Sequence, residues 1–164
     1  MIKIYRTDDC SIHEEENIQE GVWVQMVQPS RSEAMHIANE LDIDVDDNMA
    51  ALDEEESSRI ELESGYTLIL VDIPTEEVRH EKRVYTTIPL GIILMQNMII
   101  TICTEDTPIL HRFVKGRVRE FSTKKKMRFV YQILFHVASL YQADLRVLDK
   151  KRISIEERIG DNTE

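Results

Sequence analysis

The densest apolar stretch of the chain is Leu90-Gly91-Ile92-Ile93-Leu94-Met95-Gln96-Asn97-Met98-Ile99-Ile100-Thr101-Ile102. Gln96-Asn97 interrupts it, and Asn tolerates the left-handed backbone that tight hairpins need. The flanks are β-branched or long aliphatic residues. The pattern predicts two strands, residues 84–95 and 98–104, joined by a short turn and buried on both faces. Pro89 cannot donate a ladder hydrogen bond, so it marks an edge or a bulge.

Alternation predicts further strands at residues 1–5, 21–27 and 59–63, with a doubly buried strand at 66–73 closed by Pro74. Residues 75–81 are polar and read as a loop. Ser30 followed by Glu33 is a capping-box signature for a helix to about Leu41, with Met35, Ile37, Ala38 and Leu41 as its apolar stripe. A second short helix is expected over 46–54 and another over about 108–120, weakened locally by Gly116. The last element starts at Ser122 or Thr123. Its positions Met127, Val130, Leu134, Val137, Tyr141, Leu145 and Leu148 follow three-and-four spacing, and Ile155 and Ile159 extend it to Gly160. A helix of about 35 residues spans roughly 50 Å, more than one compact domain needs. Part of it must meet something else. Strands, then helices, then strands again predict a mixed β-sheet with helices on both faces, an α/β/α sandwich, followed by the long C-terminal helix. We divide the chain into an α/β body, residues 1–121, and the long-helix segment, 122–164.

Composition narrows the function. Of the 164 residues 42% are hydrophobic and 31% charged, which excludes a disordered chain. No run reaches the about 18 unbroken apolar residues of a membrane span, and no signal peptide opens the chain. Cys10 and Cys103 lie far apart with no CxxC, which points to free thiols in a reducing compartment. Charge is segregated: residues 1–78 hold 4 Lys and Arg against 21 Asp and Glu, net −17, whereas 79–164 hold 16 against 10, net +6. The acidic half disfavours nucleic acid as a partner and favours cations or basic surfaces.

Several motifs fail. Asp42-x-Asp44-x-Asp46 opens like an EF-hand loop, but Asp47 stands where Gly is needed and Asp53 where a bidentate Glu is needed. His13, His36, His80, His111 and His136 show no zinc-ligand spacing. No nucleophile elbow or phosphate loop is present, so no catalytic residue is assigned and no enzyme is expected. Lys124-Lys125-Lys126-x-Arg128 places cations at a helix start, where the dipole disfavours them. It is a solvated face, a partner for an acidic patch, or a phospholipid-headgroup contact. By chemistry alone the acidic stretch from Asp44 to Glu56 is the best candidate site, because Mg²⁺ is held, largely through water, by one or two carboxylates.

In order, Trp23-Val24, the Ser30–Leu41 helix, Ala50-Ala51-Leu52-Asp53-Glu54-Glu55, Ser58-Arg59-Ile60-Glu61, Tyr66-Thr67-Leu68-Ile69-Leu70, Pro89 to Leu94, Asn97 to Thr101 and the helix from about Lys124 cover residues 20–160. This arrangement resembles the cytoplasmic domain of CorA-type magnesium transporters. The resemblance implies an α/β/α domain on the cytoplasmic face of the cell membrane, ahead of a stalk helix and two membrane helices. It implies a homopentamer whose partners are its own subunits and divalent cations, with Mg²⁺ as regulatory ion, no organic cofactor, and membrane contact only through segments beyond this chain. The family's Gly-Met-Asn signature and both membrane helices are absent, so the chain is expected to be an excised soluble domain that senses cations and gates the pore. The family's regulatory Asp falls on Ala50 here, so that role moves to Asp46, Asp47, Asp53 or Glu54 if it is kept. The alternative is a free-standing interaction module that docks a partner through its long helix.

Overall fold

The computed structural model describes residues 1–9 and 11–161, with Asp161 described by its backbone alone. The thiol expected at Cys10 lies outside the described residues. Seven strands form one mixed sheet: β1 (Ile2–Thr7), β2 (Ile12–Glu15), β3 (Trp23–Val27), β4 (Arg59–Leu62), β5 (Tyr66–Arg79), β6 (Lys82–Met95) and β7 (Ile99–Cys103). The spatial order is β2-β1-β3-β7-β6-β5-β4. Only β3 and β7 run parallel; every other neighbouring pair is antiparallel. Helices α1 (Arg31–Leu41) and α2 (Val45–Met49), with a 3-10 turn at Ala50–Leu52, cover one face, and α3 (Pro108–Val114) and α4 (Lys126–Asp161) cover the other. The mixed-sheet sandwich with a long C-terminal helix is as the sequence predicts. Among the described residues no helix is long and apolar enough to cross a membrane.

The central hairpin forms where its pattern places it, though neither Gln96 nor Asn97 takes the left-handed backbone expected there. Leu94 pairs Ile99, the Met95 N–H donates to the Met98 carbonyl at 3.0 Å, and Gln96-Asn97 makes the turn. Strand β7 is buried throughout. Ser30 accepts the Glu33 N–H while the Glu33 carboxylate accepts the Ser30 N–H, the reciprocal capping box.

Other expectations change. Residues 75–81 form no loop. Strands β5 and β6 continue as a paired arm from Thr75↔Thr86 to Arg79↔Lys82. His80 and Glu81 both take positive φ, 50° and 62°, as a tight hairpin turn demands. The arm is polar because it has outrun the core, and Arg79–Glu77 and Arg83–Glu76 ion pairs lace it. Pro74 does not close β5. It lies past Leu70, where the β4 ladder ends, and Pro89 lies one residue past the β6–β7 ladder. Each proline stands where its strand has lost one neighbour, so no ladder bond on that side is sacrificed. Strand β2 was not foreseen. Strand β3 is buried on both faces rather than alternating. The first helix buries Ala34, Ile37 and Ala38 and leaves Met35 exposed. Helix α3 stops at Val114, ahead of Gly116 at φ 63°. On α4 the sheet-facing stripe is Phe129, Val130, Ile133 and Val137, whereas Met127, Leu145 and Leu148 are exposed. One-turn spacing alone does not tell which of two adjacent apolar stripes meets the sheet.

Gly91 on β6 is where the 3-10 turn reaches the sheet. A Cβ there would lie 2.9 Å from the Ala51 Cβ, which is fixed to backbone and cannot swing aside. We predict that Gly91→Ala lowers stability by about 1–3 kcal/mol, as overpacking does. Urea unfolding should show a lower midpoint at unchanged slope. In a double-mutant cycle with Ala51→Gly the two changes should couple favourably; strict additivity would refute the clash.

Candidate functional site

Acidic side chains converge where α2 meets the β4–β5 hairpin. Asp44 caps α2, its carboxylate accepting the Asp46 N–H at 2.8 Å. Asn48, fully buried, donates to the Ala34 carbonyl at 2.7 Å and ties α2 to α1. That docking leaves Asp47 facing the hairpin. The Tyr66 hydroxyl donates to Asp47 Oδ2 at 2.6 Å and accepts the Asp44 N–H at 3.2 Å, so one phenol joins the sheet to both ends of this acidic turn.

Strand β4 supplies the rest. Its alternation holds, but inverted: Ile60 and Leu62 are 68% and 81% exposed, and Arg59 and Glu61 are half-buried on the opposite side. Arg59 donates to Glu56 and to Glu61. Glu61 and Glu63 share a face because side chains on a strand repeat every two residues. They meet Asp47 there, with one carboxylate oxygen from each of the three within 4.8 Å of the others.

Of the acids singled out from the sequence, Asp47 therefore enters a cluster. Asp46, Asp53 and Glu54 are exposed and outside it; Asp53 instead accepts the Glu55 N–H at 3.0 Å. Ala50 is buried in the α1–α2 core layer and offers no ligand. Glu61 and Glu63 were missed. Their two-residue spacing was readable, but the apolar Ile60 and Leu62 between them suggested that the acids faced away from the body. His13, His36 and His111 pair loosely with Asp8, Glu40 and Asp106.

The cluster fits a hard cation. Asp47 keeps Oδ1 and Glu61 keeps Oε2 beyond the bonds they make to Tyr66 and Arg59. Three convergent carboxylates suit a hard ion that dehydrates reluctantly. Glu63 is the exposed member of the three.

Burial, and then the hydrogen bond to the Asp47 carboxylate, push Tyr66 up to about 12. The raised value favours the neutral phenol. Its contribution to stability is whole below the unfolded value of about 10 and is lost as pH rises from 10 to about 12. We predict that Tyr66→Phe costs about 1 kcal/mol at neutral pH, the usual net worth of a hydrogen bond. It should also flatten the stability–pH curve in that alkaline window relative to the parent chain. Identical curves above pH 10 would show that Tyr66 is not so held.

Comparison with known proteins places this geometry in context. A family profile described as "CorA-like Mg2+ transporter protein" matches residues 19–164. A curated relative, the cobalt/magnesium transport protein CorA of Methanocaldococcus jannaschii, is 26% identical over 121 residues, covering 71% of this chain and 35% of its own length. The solved soluble domain of CorA from that organism superposes with a TM-score of 0.76 at 21% identity, covering 96% of this chain and 64% of that one. The complete structure of its CorA magnesium transporter gives 0.74 at 19% identity, covering 96% of this chain and 50% of that one. The chain thus spans about a third of the curated relative and half of the complete solved transporter, and the structural likeness concerns the fold.

Proposed function

This chain belongs to the CorA-like Mg2+ transporter protein family, and from that premise we propose that it is the cation-sensing, gate-regulating body of a divalent-cation transporter on the cytoplasmic face of the membrane. The observation that carries this reading is the family match across residues 19–164, joined to a sheet and helix order like that of the CorA soluble domain. Mg²⁺ or Co²⁺, the ions named for the curated relative, are the proposed substrates. The lipid-crossing part is proposed to lie in segments outside this chain. Families of this kind move ions rather than transform them, so we assign no catalytic residue.

The sensing step follows from charge. Subunits with a net −17 in their first 78 residues repel one another. Cations bound at Asp47, Glu61 and Glu63 relieve that repulsion, and falling cation concentration loosens the assembly and favours opening. Of the four acids first considered, Asp47 is the one we retain; Asp46, Asp53 and Glu54 serve the same field from the exposed surface. Mg²⁺ at this cluster supplies fixed positive charge between carboxylates. The chain's own residues orient it, with Tyr66 and Arg59 holding one oxygen of Asp47 and of Glu61 and leaving the other for the ion. Self-assembly is proposed as the homopentamer of the family. The apolar surface on α4 supports a protein neighbour, since Phe135, Leu145, Ile155 and Ile159 are each more than half exposed.

Two measurements test this. Millimolar MgCl2 should raise the melting temperature beyond NaCl of matched ionic strength, since a ligand that binds only the native state stabilises it. The excess should vanish in Asp47→Asn with Glu61→Gln. Joined to the membrane segments proposed to lie outside it, the chain should restore growth at limiting Mg²⁺ in cells lacking their own magnesium uptake. Equal melting shifts in the two salts would remove the sensing role, and failed growth despite membrane expression would remove the transport role.

A further inference from the structure

Further across the same end of the sheet, towards β1, lies a feature that cation sensing does not use. Four segments meet there around a cavity of about 610 Å³: the end of β1, the turn before β3, the β6–β7 turn and the start of α4. Its walls carry Arg6, Lys124 and Lys126, the amides of Gln19 and Asn97, and one carboxylate, Glu20. None of these is an aromatic or aliphatic side chain.

The walls are held rigidly. Thr7 and Thr123, both buried, clasp each other: the Thr123 N–H donates to Thr7 Oγ1 at 2.9 Å, and the Thr7 N–H donates to Thr123 Oγ1 at 3.2 Å. Thr123 Oγ1 also donates to the Gly21 carbonyl at 2.7 Å, and the Gly21 N–H donates to the Asn97 carbonyl at 2.7 Å. This chain of bonds sets Arg6, next to Thr7, beside Lys124, next to Thr123. Gly21, at φ 81°, leaves room for Lys124, whose Cγ is 3.3 Å from where a Cβ would stand. Lys126 donates to the Gln96 carbonyl and is thereby aimed at the β6–β7 turn.

Glu20 is the one carboxylate set against these three cations in the walls, and it pairs with none of them among the described residues. In a chain of net charge −11, neither Arg6, Lys124 nor Lys126 makes an ion pair among the described residues. Arg6 Nε is buried without a hydrogen-bond partner. The lysines also crowd the positive end of a 36-residue helix with no acidic side chain in its first turn, an arrangement that opposes the helix dipole. Held cations that repel one another around a polar hollow are unfavourable unless an anion joins them, and departures of this kind from local preference are expected at binding sites.

We propose that this cavity binds a small phosphate-bearing anion, with Arg6, Lys124 and Lys126 as its charged donors and Gln19 and Asn97 as neutral ones. Arg offers the planar fork suited to phosphate oxygens, and the lysines act as point charges. Net charge at the walls is +2 with Glu20 counted, which matches a multiply charged anion better than chloride.

Titration calorimetry of the 164-residue chain with sodium pyrophosphate tests the proposal. We expect saturable binding that weakens by about tenfold or more in the double variant Lys124→Gln, Lys126→Gln, because each lost charge-assisted bond is worth about a tenfold factor. The control double variant Lys115→Gln, Lys150→Gln removes the same charge from exposed positions elsewhere and should bind as the parent does. Matched melting curves for the two variants keep folding out of the comparison. Vesicles of phosphatidylcholine with phosphatidic acid, set against phosphatidylcholine alone, identify the source. If the acidic vesicles capture the parent chain but not the Lys124, Lys126 variant, the phosphate is a lipid headgroup; if pyrophosphate binds and vesicles do not, it is a free anion. Absence of saturable pyrophosphate binding overturns the proposal, as does equal weakening in both double variants. Silence to pyrophosphate together with self-association abolished by Lys124→Gln, Lys126→Gln overturns it in favour of docking onto the acidic face of a second copy.

Discussion

The parallel pairing of β3 with β7 is the constraint on which the rest of the molecule depends. It joins the N-terminal strands to the central hairpin and sets Trp23 opposite Ile99 in the middle of the sheet. Trp23 is fully buried, and its indole N–H donates to Thr101 Oγ1 at 2.8 Å, so its one polar atom is satisfied within the sheet. Around it stand Tyr5, Phe113, Phe121 and Phe129 at ring separations of 5.0 to 6.5 Å, mostly edge to face. Aromatic pairs in such geometry add to their large buried area. These rings come from β1, α3, the connection after α3, and α4, and together they dock the whole second helical layer. Loss of the β3–β7 register would move Trp23 and detach both helices from the sheet.

The sheet that results separates two electrostatic regions. The acidic corner at Asp47, Glu61 and Glu63 is reached through β4, one edge strand, while the basic hollow is built from β1, the β6–β7 turn and the start of α4. Uncharged hydroxyls help brace both, Tyr66 at the first, where Arg59 also pairs with Glu61, and Thr7 and Thr123 at the second. Hydroxyls that both donate and accept can fix neighbouring backbone without neutralising nearby charge. Each corner keeps a net charge of one sign, negative at the first despite Arg59 and positive at the second despite Glu20, which is what attraction of a counter-ion requires.

Much of this fold is legible in the sequence, for physical reasons that differ by element. The Gln96-Asn97 turn is readable because two aliphatic runs flank a short polar interruption, although the left-handed backbone expected of Asn97 does not form. The Ser30–Glu33 cap is readable because its hydrogen bonds are local. The β5–β6 arm is not, since His80 and Glu81 take a left-handed turn without glycine, and its strands show no buried face. The place of Trp23 in the β3–β7 register depends on residues 76 positions apart, which no local pattern encodes. At the acidic corner, Asp47 could be named from its neighbours, whereas Glu61 and Glu63 required knowing that β4 turns its apolar residues outward. The basic run from Lys124 was visible, but its juxtaposition with Arg6 rests on the clasp between Thr7 and Thr123, 116 residues apart.

Every residue of α4 from Leu145 to Gly160 is exposed. Its ordering there leans on continuity with the docked turns before it, on Lys151 over the Tyr85 ring at 5.2 Å, and on the Arg152 pairs with Asp149 and Glu156. A helical stretch of that length is marginal in water when it stands alone. The far end of α4 is therefore a thermally soft rod joined to a firm body, and winding or fraying of its final turns requires no rearrangement of the sheet. Whatever lies alongside it would tune its stiffness, and through stiffness the reach over which a push at one end is felt at the other.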